Sequence, residues 1–287
     1  MVAVLLGLAA SSAFACADFF GGVAARRAGA WLSVFANQAI GLLPLGVYLV
    51  LLTDHGPTER DVVLSLGAGL ASIVGLGLLF GGFAVGRMAV VAPISAGIGG
   101  LVPITWGLLQ GERPSALALF GAVVTLSAAI VLARSEAPVT DAAVEHPVPT
   151  DDTRAALMAV GAGLAFGVIL ICFSETSEGA GLWPPMIAHF VSVPTLAIGL
   201  TIAGTSLRPP ESARRVMLAS GFFDATAVAL VVVALRQDLV SLVAPAANLY
   251  PAGTVLLAAL VLGERLHRVQ VAALLAAAVG LVLLAVG

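Results

Sequence analysis

The sequence predicts an all-α integral membrane protein, with ten transmembrane helices arranged as two five-helix halves of inverted topology. Three observations lead there. The 287 residues are 60% hydrophobic and only 10% charged, with a mean hydropathy of +1.09. Soluble domains carry roughly 25% charged residues, so this chain has too little polar surface to cover itself in water. Apolar segments recur along it, each long enough to cross a core of roughly 30 Å at about 1.5 Å per residue. Finally, one half of the sequence lies over the other: a shift of 152 positions superimposes them without a gap.

The repeat is clearest at Val91–Arg113 and Val243–Arg265. Both open Val-Ala-Pro and both close Gly-Glu-Arg. The same shift carries Ala13-Phe14 onto Ala165-Phe166, Trp31 onto Trp183, Gly69 onto Gly221 and Leu132 onto Leu284. The duplication therefore spans nearly the whole chain, and a fold read without it would be misread.

The apolar segments fall near 2–24, 31–53, 62–85, 88–110 and 115–134, then 155–175, 182–204, 214–235, 239–262 and 269–286. No alternating strand pattern competes with them, and backbone groups in lipid must be satisfied within each span. The first segment contains Ala13-Phe14-Ala15 before Cys16, which resembles a cleavage site. It lacks a preceding basic region, and its apolar pattern runs on, so it is expected to be a retained helix. Connections are short, which makes sequence neighbours antiparallel. The exception is 135–154, rich in Pro, Asp, Glu and Thr, which is expected to link the halves 1–134 and 155–287.

An odd number of crossings per half has a geometric consequence. The second half must enter the bilayer from the side opposite to the first, which makes the duplication an inverted repeat, the architecture of many secondary transporters. Inward-open and outward-open states are then near mirror exchanges of close energy, and substrate can tip the balance between them. The thirteen basic residues are all arginine. Ten lie on one side of this topology and three, Arg60, Arg113 and Arg236, on the other. By the positive-inside rule both termini would face outward.

Polar groups within apolar spans are costly and mark functional candidates. Asp18, in the first segment, has mostly small neighbours at helical spacing. Asp224, in the eighth, shares a face with Ser220, Gly221 and Ala227. Small residues permit close packing or leave room for a cavity. One or both carboxylates are expected to face a central cavity and serve as proton or cation sites; for Asp18 the alternative is neutralisation by Arg26 or Arg27. Asn37 and His189 occupy equivalent positions in the repeat, at comparable depth, and His189 could titrate near neutral pH. Pro245 and Pro251 in the ninth segment, and Pro93 and Pro103 in the fourth, each remove a helical hydrogen bond. Kinks there would expose carbonyls along a substrate path, with Asn248 and Tyr250 as contacts. Glu112 and Glu264 sit in tight Gly-Glu-Arg turns, where a carboxylate can cap the following helix. Trp31 and Trp183 are expected to anchor helices at the membrane interface.

No nucleotide-binding loop, zinc motif, nucleophile elbow or nucleic-acid stripe is present. Cys16 and Cys172 lie in apolar runs, and neither a disulfide nor a metal site is expected from them. No cofactor is expected, nor is enzymatic activity.

The paired Pro-to-Gly-Glu-Arg blocks (Pro93 to Arg113, Pro245 to Arg265), the ten segments and the full-length duplication together resemble the EamA-type family of the drug/metabolite transporter superfamily. Ala17-Asp18-Phe19 with Gly21-Gly22 and Arg26-Arg27 is similar to a bacterial subgroup of it. The resemblance implies a 5+5 inverted-repeat bundle in the bacterial inner membrane. It implies transport of small metabolites, amino acids or drug-like compounds through a cavity lined by the first four helices of each half. It also implies cytoplasmic termini, against the arginine count, and orientation stays open between the two.

The expectation is thus a secondary transporter, working by proton-coupled export of a small polar or cationic solute, as a monomer or a homodimer. Uptake by the same fold is the alternative. An intramembrane lipid-modifying enzyme, the rival from another class, would need a reactive cluster at one interface, whereas Asp18, His189 and Asp224 are spread over three segments.

Overall fold

A computed structural model of the chain describes residues 2–53, 55–86, 88–134, 151–250 and 268–286. These residues form helices α1 (Val2–Ala28), α2 (Ala30–Leu52), α3 (Glu59–Val85), α4 (Met88–Leu109) and α5 (Ala116–Arg134). There follow α6 (Asp152–Ser174), α7 (Trp183–Ile202), α8 (Glu211–Leu235), α9 (Val240–Ala247) and α10 (Arg268–Val286). One short 3-10 turn, Glu178–Ala180, precedes α7. No strand occurs among the described residues. Six helices (α1, α2, α3, α6, α7 and α8) are long and apolar enough to cross a membrane. Ile94–Leu109, Ala116–Ala128 and Val271–Gly280 are shorter apolar stretches.

Local chemistry sets several boundaries. Gly29, at φ 84, lets α1 turn directly into α2, a conformation that a side chain would strain. Thr58 and Asp61 form a reciprocal capping box at the start of α3: the Thr58 N–H donates to Asp61 Oδ2 at 2.8 Å, and the Thr58 hydroxyl accepts from the Asp61 N–H. Asp151 caps α6 by accepting from the Arg154 N–H at 3.0 Å. Residues 152–154, expected at the end of the linker, are therefore already helical, because an aspartate stands one position ahead of them. Residues 135–150 of that linker lie outside the described residues, as do Pro251 and the Gly263-Glu264-Arg265 turn.

Helices pack chiefly across the midpoint of the sequence. α1 lies along α8, α3 along α6, α5 along α10 and α4 along α6, while α2 touches both α7 and α8. Exchanging the halves by the 152-residue shift turns α1·α8 into α6·α3 and α4·α6 into α9·α1, both of which occur; α2·α7 and α5·α10 map onto themselves. Glycines permit the closest crossings. A Cβ on Gly69 would come within 2.7 Å of the Ala188 carbonyl oxygen, and one on its equivalent Gly221 within 2.7 Å of the Asn37 carbonyl oxygen. Aliphatic side chains such as Leu43, Val50 and Ile202 remain exposed on the outside, as a lipid-facing surface requires.

One end of the bundle is tied by polar contacts between the halves. Ser177 donates from its backbone N–H to Asp61 Oδ1 and from its hydroxyl to Oδ2, both at 2.7 Å. Arg60 pairs with Glu175 at 2.9 Å, and Trp106 Nε1 donates to the other oxygen of Glu175 at 3.0 Å. Trp183 Nε1 donates to the His55 carbonyl at 3.0 Å, and within the second half Arg236 donates to the Thr176 carbonyl at 2.8 Å. Glu112 accepts from the first N–H groups of α9 rather than capping α5, the helix that follows it.

Candidate functional site

A cavity of about 100 Å³ lies inside the bundle, where α1, α8 and the end of α9 meet α3, α6 and α7. Asp18, His189, Asp224, Asn248 and Tyr250 line it together with Gln38 and Ser72; the rest of the lining is apolar, including Phe14, Phe166 and Phe173. The repeat organises the walls. Phe14 and Phe166 are equivalent positions, as are Leu76 and Val228, Ser72 and Asp224, and Asp18 and Leu170. The shape is therefore near-symmetric while the charge is not: each acid has an uncharged counterpart.

Asp224 is only 7% exposed, and neither its carboxylate nor that of Asp18 accepts a hydrogen bond from a described residue. Both line the same cavity. Arg26 and Arg27, the alternative partners for Asp18, donate to backbone carbonyls. Arg26 donates to Phe83 at 3.1 Å and Arg27 to Ser212 at 2.7 Å. No arginine lines the cavity among the described residues.

His189 is buried, and its Nδ1 donates to the Pro185 carbonyl at 2.9 Å. In the neutral ring this bond puts the hydrogen on Nδ1 and leaves Nε2 as an acceptor, and Nε2 has no partner among the described residues. Gly41 makes room for the ring, since a Cβ there would stand 3.0 Å from Nε2. Asn37, the equivalent of His189 in the repeat, does not line the cavity. Its Nδ2 donates to Ser220 Oγ at 3.0 Å, and Ser220 donates onward to the Ala17 carbonyl at 2.9 Å, so the amide joins α2, α8 and α1.

α9 stops at Ala247, with Asn248 as its C-cap and Asn248 Nδ2 donating back to the Ala244 carbonyl at 2.9 Å. Its C-terminal end thus reaches the cavity wall. Tyr250 follows the break; its hydroxyl lies 2.8 Å from Ser95 Oγ and donates to the Ala92 carbonyl at 3.0 Å, closing the wall against α4. Pro245 lies inside α9, two residues before it ends, while α4 runs on as one helix through positions 93 and 103.

Gln38 and Ser72 escaped the reading of the sequence. Gln38 Nε2 donates to Ser192 Oγ at 2.8 Å, and Ser72 is the equivalent of Asp224, so the repeat held the signal for the second of them. The aromatic walls carried no comparable signal, because phenylalanine in a membrane helix usually faces lipid or core. No group of residues able to hold a metal ion occurs among the described residues.

Residues 153–286 match the EamA-like transporter family. The match covers 134 of the 287 residues, just under half of the chain. This family belongs to the drug/metabolite transporter superfamily, and the six helices long and apolar enough to cross a membrane agree with a multi-pass membrane protein. A solved crystal structure shares the fold over 99% of this chain and 97% of its own, with a TM-score of 0.72 at 16% identity. A comparison with curated proteins gives no match. The matched EamA-like segment supplies Asp224, His189, Asn248 and Tyr250 to the cavity, while Asp18 and Phe14 come from the other half of the chain.

Proposed function

We propose that the protein is a secondary transporter of the bacterial inner membrane that carries a small solute through this cavity by alternating access, coupled to protons and in the direction of export. The transmembrane frame is a 5+5 inverted repeat of 1–134 and 155–287, joined by 135–154. One observation carries the proposal: two carboxylates share a cavity whose described lining holds no basic side chain except His189, whose Nδ1 is taken up by the Pro185 carbonyl. Charges left so in low dielectric are expensive. They need a proton or a cationic solute, and a site that must hold one or the other exchanges them. A single charge moved across 100 mV is worth about 2.3 kcal/mol, so one-proton coupling sustains a useful gradient. Asn248, Tyr250, Gln38 and Ser72 are the polar groups available to orient a solute.

Reconstituted vesicles test this. Flux of a small-solute panel is measured with and without an imposed pH gradient, in parent protein and in Asp224→Asn. Gradient-driven accumulation that the variant loses is the expected result. Flux indifferent to the gradient, and a variant that transports normally at every pH, would sink the coupling. Uptake rather than export is decided by the sign of the gradient that drives accumulation.

A further inference from the structure

We infer that the cavity selects a compact organic cation, a substituted ammonium group on a small apolar or aromatic body, over zwitterions and neutral solutes, an inference that rests on the transport reading above. Four independent features of the walls have the same sign. Asp18 and Asp224 place two carboxylates in the cavity, and Asp224 is more than nine-tenths buried with no hydrogen-bond partner among the described residues. A cation bound beside them offsets the cost of keeping carboxylates without partners away from water. α9 ends at Ala247 against the cavity; the C-terminal end of a helix carries partial negative charge and favours cations.

The aromatic rings supply the third feature. Phe14, Phe166, Phe173 and Tyr250 line the cavity, with Phe14 and Tyr250 edge-to-face at a centroid distance of 6.5 Å. Ring faces attract ammonium groups, most strongly where water is excluded. The fourth feature is His189 Nε2, buried and without a partner among the described residues, which in the neutral ring accepts from an N–H donor on the solute. The zwitterionic head of an amino acid would bring a carboxylate into these walls, and no described lining residue is an arginine that could hold it.

The experiment is calorimetric titration of the full-length protein in detergent, at mildly alkaline pH, with phenethylammonium, L-phenylalanine and benzyl alcohol. The cation is expected to bind at least about tenfold more tightly than either comparator. Asp18→Asn and Asp224→Asn should each weaken it by about tenfold or more, while Asp224→Glu keeps the charge and stays within about threefold. Arg208→Gln, on an exposed loop, should leave it unchanged. If Asp224→Asn does not fold, Asp18→Asn carries the charge test alone. Equal or tighter binding of phenylalanine or benzyl alcohol overturns the inference, as does no binding of the cation to the parent, or cation binding that survives in the Asn variants. Cation binding with the expected losses but without flux in vesicles upholds this selectivity and removes the transport reading instead.

Discussion

Glu112 Oε1 accepts a hydrogen bond from the backbone N–H of Val240 at 3.1 Å, and Glu112 Oε2 one from Ser241 at 3.2 Å. A side chain from the first half thus caps a helix of the second. The first amides of a helix lack intrahelical partners and carry partial positive charge, so a carboxylate satisfies both needs at once. Glu112→Ala is expected to lower stability by about 1 kcal/mol, read as an earlier thermal transition in detergent. An unchanged transition would mean that water replaces the cap without loss.

Two substitutions to alanine should part company. At Gly221 a Cβ would meet the Asn37 carbonyl at 2.7 Å and the Ile40 side chain, so α2 and α8 must move apart. Gly221→Ala should cost about 1–3 kcal/mol. At Gly199, inside α7, a Cβ meets nothing within 4 Å. Gly199→Ala should be neutral or raise stability by up to about 1 kcal/mol through helix propensity. Paired thermal scans compare the two directly.

The bond between Asn37 and Ser220 should be measurable as a coupling rather than as a loss. Asn37→Ala, Ser220→Ala and the double variant form a thermodynamic cycle, and interhelical hydrogen bonds in membranes couple by about 0.6 kcal/mol, rarely above about 1.7. A coupling within error of zero would show that the Asn37 amide finds another partner. Flux through the cavity should survive Ser220→Ala, because Ser220 does not line it.

Removing the Tyr250 hydroxyl tests the wall beyond the α9 break. Tyr250→Phe keeps the ring against Phe14 and gives up the bonds to Ser95 and Ala92. Ser95 retains its own bond to the Ala92 carbonyl at 3.0 Å, so no donor is orphaned. The expected cost is about 1 kcal/mol, with cation binding preserved in calorimetry; loss of binding would place the hydroxyl itself on the solute.

How much of this could be read beforehand differs by residue. Asp18 and Asp224 stood out because an acid in an apolar run is expensive wherever it points. The 152-residue shift made Asn37 and His189 look like partners, yet equivalence in a repeat constrains depth and leaves each side chain to its neighbours. His189 faces Gly41 and the cavity, whereas Asn37 meets Ser220 and is consumed there. Glu112 was legible as a cap, but its helix was not, since the partner lies 128 positions away and local spacing says nothing about it. Asp61 gave no signal at all: it reads as an ordinary residue at a helix start, and only the approach of Ser177 turns it into a tie between the halves.

The cross-packing of α1 on α8, α3 on α6 and α5 on α10 bears on how the chain is made. As the nascent polypeptide leaves the ribosome, the best-fitting surfaces of its first five helices have no mates until helices of the second half are inserted. Those early helices must wait in lipid, loosely associated, with glycine-lined seams uncovered. Biosynthesis cannot finish one half and then add the other; completion comes late, when α6 and α8 slot between helices already in place, and a chain cut short before them has nothing to close upon.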